Sequence, residues 1–273
     1  MAISLLTNVA SLEAQNELDQ TANSLQTTLT RLSSGSRINS GADDPAGLAI
    51  ANQLGAQVTA LQQSSLNTNT GVGLAQTADG ALSEVTNLLN RAVTISTEAA
   101  NGGLSNNQLT ALNTEFSAIK SEIDRIGTST TFNGTSVFTS STTSIFLSDA
   151  SSTSAIGVSV GTLSSSGLGL SGSGIDLTSA ADAASALSVV NSAIQTVAAT
   201  RGTLGASVNR LNAANAVIQT QVLNLTQAES TITSANIPEE VSNLAKYQVL
   251  NQTGISALSQ SNQVTQSLLR LFQ

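Results

Sequence analysis

LSVVNSAIQTVAATRGTLGASVNRLNAANAVIQTQVLNLTQAESTI, residues 187–232, is the stretch that decides the fold. Fourteen of its positions follow one another at alternating steps of three and four residues, and eleven of these are aliphatic: Leu187, Val190, Ile194, Val197, Leu204, Val208, Leu211, Ile218, Val222, Leu225 and Ile232. This spacing, kept over about six heptads, predicts a coiled-coil seam. A long helix buries such a seam only against other long helices, and the segment around 54–92 is the expected partner.

Three polar residues, Arg201, Asn215 and Glu229, interrupt the predicted seam. Asn215 is interpreted as a residue that sets the register between the paired helices, because a polar side chain at a seam position tolerates few alignments. Arg201 has two interpretations that the sequence leaves open: it sets register in the same way, or it marks a place where the seam meets solvent.

Shorter helical patterns precede this segment. Leucines and an alanine at steps of four and three predict a first helix that ends near Gly35. A second helical stretch begins after Asp44-Pro45, a capping residue followed by the first helical position, and a third covers about 105–126. The predicted fold is mainly α: a rod built as a long antiparallel coiled coil or helical bundle, with small β-hairpins in the middle.

The middle of the chain has a different composition. Residues 127–179 contain no Lys or Arg and are rich in Ser, Thr and Gly. Asn133-Gly134 is a hairpin turn signal, so we expect hairpins at about 132–162, followed by a Gly/Ser loop at about 163–179 that faces outward because it lacks an apolar stripe. The spacing G-x-G-x-x-G at 167–172 is attributed to chance, because a dinucleotide site requires it between a strand and a helix.

Composition excludes several functions. The chain has no His and no Cys, which removes the usual zinc, iron–sulfur and Ser-His-Asp chemistries. The net charge of −8, with basic residues spread along the chain, argues against nucleic acid as a partner. No apolar run is long enough to span a membrane, and the amino terminus does not resemble a cleaved secretory signal. We therefore expect no enzyme activity, no cofactor, no metal site and no membrane insertion.

The two ends of the chain share an unusual character. Both carry apolar residues at helical spacing between polar residues that are mostly uncharged: Leu18, Leu25, Leu29, Leu32, Leu244, Ile255, Leu258, Leu268 and Leu271. Helices of this composition are poorly soluble when alone, whereas the middle of the chain is polar. The pattern predicts a subunit that assembles with other copies of itself through its ends.

Several motifs resemble those of one known family. RLSSG at 31–35, RINS at 37–40 and DDPAG at 43–47 resemble the amino-terminal signature of bacterial flagellins, and EEVSNLAK at 239–246 resembles their carboxy-terminal region. The order and spacing agree over roughly 1–138 and 185–273, so the sequence is similar to a minimal flagellin without large variable outer domains.

The resemblance implies a function and an architecture. Residues 1–40 and 236–273 are expected to form the inner domain of the flagellar filament, the helical propeller for swimming, and 41–235 its rod domain. The ends are expected to be unfolded in the free subunit and to fold on polymerisation. The implied location is the extracellular bacterial flagellum, and the implied partners are other copies of the chain, an export chaperone, and cap and junction proteins.

The same resemblance suggests an immune-receptor site. Many flagellins are recognised by Toll-like receptor 5 through an Arg, a Leu four positions later and a Glu on the next helix, which here align with Arg91, Ile95 and Glu115. Val93 and Thr94 stand where the family often has charged residues, so the site is expected to be weakened. The alternative interpretations are a solvent-facing ion pair and a contact between subunits.

Three alternative functions fit the residues less well than a flagellin does. The hook–filament junction protein shares flagellin-like ends but usually matches the amino-terminal signature less well. A non-flagellar secreted coiled-coil protein fits the heptads and is disfavoured only by the signature motifs. A metallopeptidase insert, which some flagellins carry, requires a histidine-based zinc motif that this chain lacks.

Overall fold

A computed structural model describes residues 8–147 and 155–271, without the side chains of 265 and 268–271. The predicted Leu268 and Leu271 contacts therefore lie outside the described side chains. The elements in chain order are α1 (Val9–Ser34), α2 (Pro45–Ala99), α3 (Asn106–Ser129), β1 (Thr131–Phe132), β2 (Thr135–Ser136), β3 (Thr143–Phe146), β4 (Ala155–Val158), α4 (Ala180–Thr233) and α5 (Ile237–Leu271). The predicted class, mainly α with small antiparallel hairpins, is confirmed.

Local sequence signals fix where the helices begin and end. Asp44 caps α2, because its Oδ1 accepts a hydrogen bond from the Gly47 backbone N–H at 2.8 Å, and Pro45 occupies the first helical position. Helix α1 ends at Gly35, whose φ of 66° is the left-handed conformation that glycine adopts without strain. Helix α3 begins with a capping box formed by Ser105 and Gln108.

The described chain divides into two compact units. The first comprises the residues up to Ala56 and those from Asn224 onward, and the second comprises Gln57–Leu223. The division falls inside α2 and inside α4, whereas the domain boundaries that the sequence suggested, 40/41 and 235/236, lie outside both helices.

In the second unit α2 and α4 run antiparallel. Ser65 Oγ donates to Asn215 Oδ1 at 2.7 Å, and Arg201 Nε lies 2.7 Å from Asp79 Oδ1. The residue numbers of each pair add to the same value, as expected for antiparallel helices in constant register. Asn215 therefore reaches across to α2, and Arg201 forms a two-point ion pair with Asp79 in which both side chains stay partly exposed to solvent.

The aliphatic seam of α4 faces inward over its whole length, although not evenly. Val190, Val197, Leu204, Leu211 and Ile218 are buried, while the others are half-buried: Leu187, Ile194, Val208, Val222, Leu225 and Ile232. Near the start of α4 the fully buried positions include Ala183, Ala186 and Ala193. Ala186 lies one residue before Leu187, and Ala193 lies one residue before Ile194. The Gly/Ser segment lies beside this part of the helix, with Gly169 next to Val189.

Helix α3 and the two hairpins complete the second core. Phe116, Ile119 and Ile123 of α3 are buried in the same cluster as the middle of α2 and α4. Strand β1 pairs with β2 through a turn in which Asn133 and Gly134 both have positive φ, the geometry of a two-residue hairpin. Strands β3 and β4 form a second antiparallel ladder, from Thr143 opposite Val158 to Phe146 opposite Ala155.

The expectation that the Gly/Ser segment faces outward is wrong. Leu163, Leu170 and Leu177 are buried, and the Ser165 backbone N–H and Oγ donate to the Asp124 carboxylate at 2.7 and 2.8 Å. Three leucines seven residues apart are too sparse to form a recognisable stripe, yet each fills a gap in the core. Leu170 within the G-x-G-x-x-G spacing thus has a packing role.

Candidate assembly surfaces

The terminal helices α1 and α5 pair antiparallel in the first unit. Near one end of the pair the Asn8 amide donates to Ser261 Oγ at 3.1 Å, and near the other the Arg31 Nη1 lies 3.4 Å from Glu240 Oε1. Between them Gly254 brings the α5 backbone close to the Leu18 side chain: a methyl group at this glycine would stand 3.2 Å from Leu18 Cδ1. The absence of a side chain at Gly254 therefore permits the close approach.

This helix pair buries very little. Thr28 is the buried residue of α1, and Glu240 is the buried residue among the described side chains of α5. Leu18, Leu25, Leu32, Leu244 and Leu258 are half-buried between the helices. Several large apolar side chains face solvent: Val9, Leu12, Leu29, Val241, Val249, Leu250, Ile255 and Val264. The outer faces of both helices therefore lack a partner within the described chain.

A short clamp joins the end of α1 to the turn between α4 and α5. The Arg37 backbone N–H donates to the Thr233 carbonyl at 2.6 Å, and the Ala235 N–H donates to the Gly35 carbonyl at 3.0 Å. The Arg37 side chain also donates to the Ile232 carbonyl at 2.8 Å. The RLSSG and RINS motifs thus hold both terminal helices at one place.

An aspartate orders the loop that follows the clamp. Asp43 Oδ2 accepts hydrogen bonds from the backbone N–H groups of Asn39 at 3.1 Å and Ser40 at 2.8 Å. These bonds favour the charged carboxylate and hold the pKa of Asp43 below its usual range, with the bond from Asn39 as the largest contribution. Asp43 and Asp44 therefore both have structural roles immediately before the start of α2.

Only two of the three aligned receptor positions share a surface. Arg91 Nε lies 2.6 Å from Glu115 Oε1 and Nη2 lies 3.1 Å from Oε2, and both side chains are well exposed. The hydrogen bond from Arg91 lowers the pKa of Glu115. Ile95 has no exposed surface at all and belongs to the core. The expectation of a direct partner contact at Ile95 is corrected accordingly, because its side chain is used up in packing beneath the pair.

Ligand-binding and membrane features were sought among the described residues. Within 8–147 and 155–271, no group of three or more His, Cys, Asp or Glu side chains is placed to hold a metal ion. None of the helices in that part of the chain is long and apolar enough to cross a membrane.

Two features of the molecule's surfaces are not predicted by the sequence. Glu240 was seen only as part of a motif, although it is buried against Arg31. Leu66 and Leu223, which face solvent in the second unit, belong to no predicted site. A signal was present for the latter pair, since neither α2 from 45 to 78 nor α4 from 211 to 228 contains a charged residue.

Paired helices with uncovered apolar faces are typical of self-assembling helical subunits. Two family models match the chain: the bacterial flagellin N-terminal helical region over residues 5–143 and the bacterial flagellin C-terminal helical region over 187–272. The flagellins of Listeria monocytogenes and Halalkalibacterium halodurans are each 32% identical, over 97% of this chain and 98% of their own. The crystal structure of Bacillus cereus flagellin, 29% identical, matches 60% of this chain and 94% of that one with a TM-score of 0.50.

The chain belongs to the bacterial flagellin family. Members of this family are structural proteins, and this chain is a structural subunit of the extracellular flagellar filament. The predicted family and function are confirmed.

Proposed function

We propose that the outer faces of α1 and α5 are the surfaces through which copies of this chain polymerise. The observation that carries the proposal is that these helices leave nine large apolar side chains in solvent, Ile237 included, and fully bury none among their described residues. Exposed apolar surface of this extent is typical of an interaction site. In this proposal 1–40 and 236–273 form the inner filament domain and 41–235 forms the rod domain.

The same observation supports folding of the ends on assembly. An isolated helix gains most of its stability from packing an apolar face, and ordering each residue costs about 1–2 kcal/mol of backbone entropy. Among the described side chains of α1 and α5 no apolar one is fully buried, so the pair offers little to offset that cost. Neighbouring copies supply the missing burial, so we propose that the free subunit has unfolded ends and an ordered second unit.

A buried donor also calls for a partner. The Nε of Arg31 is buried and has no acceptor among the described residues, although Nη1 faces Glu240. An unpaired buried N–H is costly, and an acceptor from a neighbouring copy would satisfy it. The signature motif at 31–35 would then serve assembly as well as the clamp.

Deletion of 241–273 tests the proposal. This deletion removes most of α5 from every copy, so we expect a soluble protein that retains the helices of the second unit and forms no filaments when seeded. Ile255→Ser is a milder test, because Ile255 is exposed and its loss leaves the fold intact. Gln195→Ser, exposed on α4 far from the ends, is the control. Sedimentation and electron microscopy of the pellets measure assembly, and normal filaments from the deletion variant would overturn the proposal.

Further partners are proposed from the family. An export chaperone would cover the apolar face of α5 before secretion, and cap and junction proteins would contact the ends of the filament. The exposed Arg91–Glu115 pair would contribute to recognition by Toll-like receptor 5, with Ile95 holding α2 in place beneath it. All these roles are binding roles, and we propose that the chain acts without catalysis.

A receptor reporter assay with soluble subunit tests the immune role. Arg91→Ala is expected to lower the response. Arg125→Ala is the matched control, because Arg125 is also exposed and also paired with a glutamate, Glu122. An equal response from both variants and the unaltered protein would remove Arg91 from the receptor site.

A further inference from the structure

The second unit contains an uncharged band that spans two helices. Residues 57–78 of α2 and 211–223 of α4 contain no Asp, Glu, Lys or Arg, although the whole chain has 17 acidic and 9 basic residues. The contact between Ser65 and Asn215 sets these two stretches side by side. Exposed helix faces normally carry charges, so a band without them is a surface that other copies can approach without repulsion.

One side of this band forms an apolar groove. Leu66 of α2 and Leu223 of α4 border it, with 59% and 70% of their surface exposed, and Ile218 and Val222 form its floor. We call this the side groove. Its polar lining is uncharged and consists of the Gln62 and Gln219 amides and the Ser65 hydroxyl.

The opposite side of α4 carries one large exposed apolar side chain. Val217 is 57% exposed and lies two residues before Gln219. With 3.6 residues per turn, side chains two positions apart on a helix point about 160° away from each other. Val217 therefore projects away from the side groove at the same level along the helix. The band therefore presents an apolar projection on one side and an apolar groove on the other.

We propose that the side groove receives Val217 of a second copy of this chain. The inference rests on the proposed function, self-assembly, and adds the contact between rod domains to the contacts of the terminal helices. Copies with a net charge of −8 repel one another, and the uncharged band is where they can touch most closely. Because projection and groove lie on different sides of the same helix, the contact is heterologous and repeats from copy to copy without closing.

Cysteine cross-linking tests the geometry directly, because the chain has no cysteine of its own. Val217→Cys and Leu223→Cys subunits are prepared separately, mixed, polymerised on seeds and oxidised. We expect cross-linked dimers in filaments of the mixture, none in filaments of either variant alone, and a ladder of multimers when both cysteines are in one chain. Cross-links between two Leu223→Cys copies, or none in the mixture, would overturn the inference.

A matched pair of charge variants tests the energetics. Gln219→Glu adds one negative charge of nearly the same shape at the edge of the side groove, and Gln195→Glu adds the same charge to an exposed position of α4 outside the band. Burying an unpaired charge in an interface is expected to slow elongation about tenfold or more for Gln219→Glu. Gln195→Glu should elongate like the unaltered protein, and circular dichroism should show the same helix content in both.

The outcomes separate this inference from the proposed function. If the unaltered chain polymerises and both glutamate variants elongate equally, copies do not meet at the side groove, although assembly through the ends stands. If the unaltered chain forms no filaments on seeds, the proposed function fails and the inference fails with it. If the groove binds a different protein instead, the mixture gives no cross-links between copies, which overturns the inference.

Discussion

Leu211→Ala is the substitution that tests most directly how the second unit is held together. Leu211 is fully buried on α4, and its Cδ1 lies 3.3 Å from the position that a Cβ would take at Gly71 of α2. Ile145 of β3 lies against the same glycine. Because Gly71 has no side chain that can move into the vacated space, the cavity left by the substitution stays largely open.

The expected loss follows from the atoms removed. Replacing Leu by Ala deletes three carbon atoms, which at about 0.8 kcal/mol for each buried methylene amounts to about 2.4 kcal/mol of lost transfer free energy. A cavity that cannot collapse adds about 1 kcal/mol or more. We therefore expect the free energy of unfolding to fall by about 3–4 kcal/mol, within the range of about 2–5 kcal/mol known for buried leucines.

Urea unfolding of the dilute, unassembled protein, followed by circular dichroism, measures this loss. Leu223→Ala is the matched control, since it removes the same atoms from the same helix at a site that is 70% exposed, and it should cost less than about 1 kcal/mol. Thr203→Ala, also exposed on α4, should change stability by no more than about 0.5 kcal/mol. Equal losses for Leu211→Ala and Leu223→Ala would refute the assigned register of α4 on α2.

Three further perturbations address other parts of the fold. Gly127→Ala should destabilise the second unit by about 1–3 kcal/mol, because the new Cβ would collide with the Leu163 carbonyl. Gly80→Ala has open space around it and should stabilise α2 by about 0.5–1 kcal/mol in the same urea assay. Deletion of 161–174 should lower the melting temperature, since it removes buried leucines, and an unchanged value would contradict their role. The lowered pKa of Asp43 means that its charged carboxylate stabilises the loop at pH values above the pKa of the unfolded state. This stability should be lost as the pH falls below about 4. Amide hydrogen exchange at Asn39 and Ser40 measures the loss, and Asp43→Asn should abolish the pH dependence.

Much of the helical architecture follows from local sequence. The steps of three and four along α4 identify which side of that helix faces inward, because helix geometry alone brings such positions onto one side. The start of α2 at Pro45 and the turn at Asn133-Gly134 are equally local, since capping and positive φ depend on the residues themselves. The uncovered faces of the terminal helices also follow from composition, and they are the part of the candidate site that the sequence indicated.

The placement of single residues required the tertiary structure. Arg91 and Ile95 are one helical turn apart, yet the first faces solvent with Glu115 and the second is wholly buried, because α3 covers only part of that side of α2. The sequence does not reveal that Asp79 stands opposite Arg201, where the two form a partly exposed ion pair. Sequence spacing gives the direction in which a side chain leaves its helix, but not which neighbour stands there.

The sequence by itself determined that this chain is a long-helix protein of the flagellin family whose two ends form helices that are poorly soluble when alone. Only the tertiary structure decided that the Gly/Ser segment packs its leucines into the core, and that Leu66 and Leu223 border a groove opposite Val217. The physical reason is the range of the interactions involved. Periodicity, capping and turn chemistry act between residues within a few positions of each other. Burial depends on partners that are distant in the chain, 41 residues apart for Ser165 and Asp124 and 150 for Ser65 and Asn215, and no local pattern records their register.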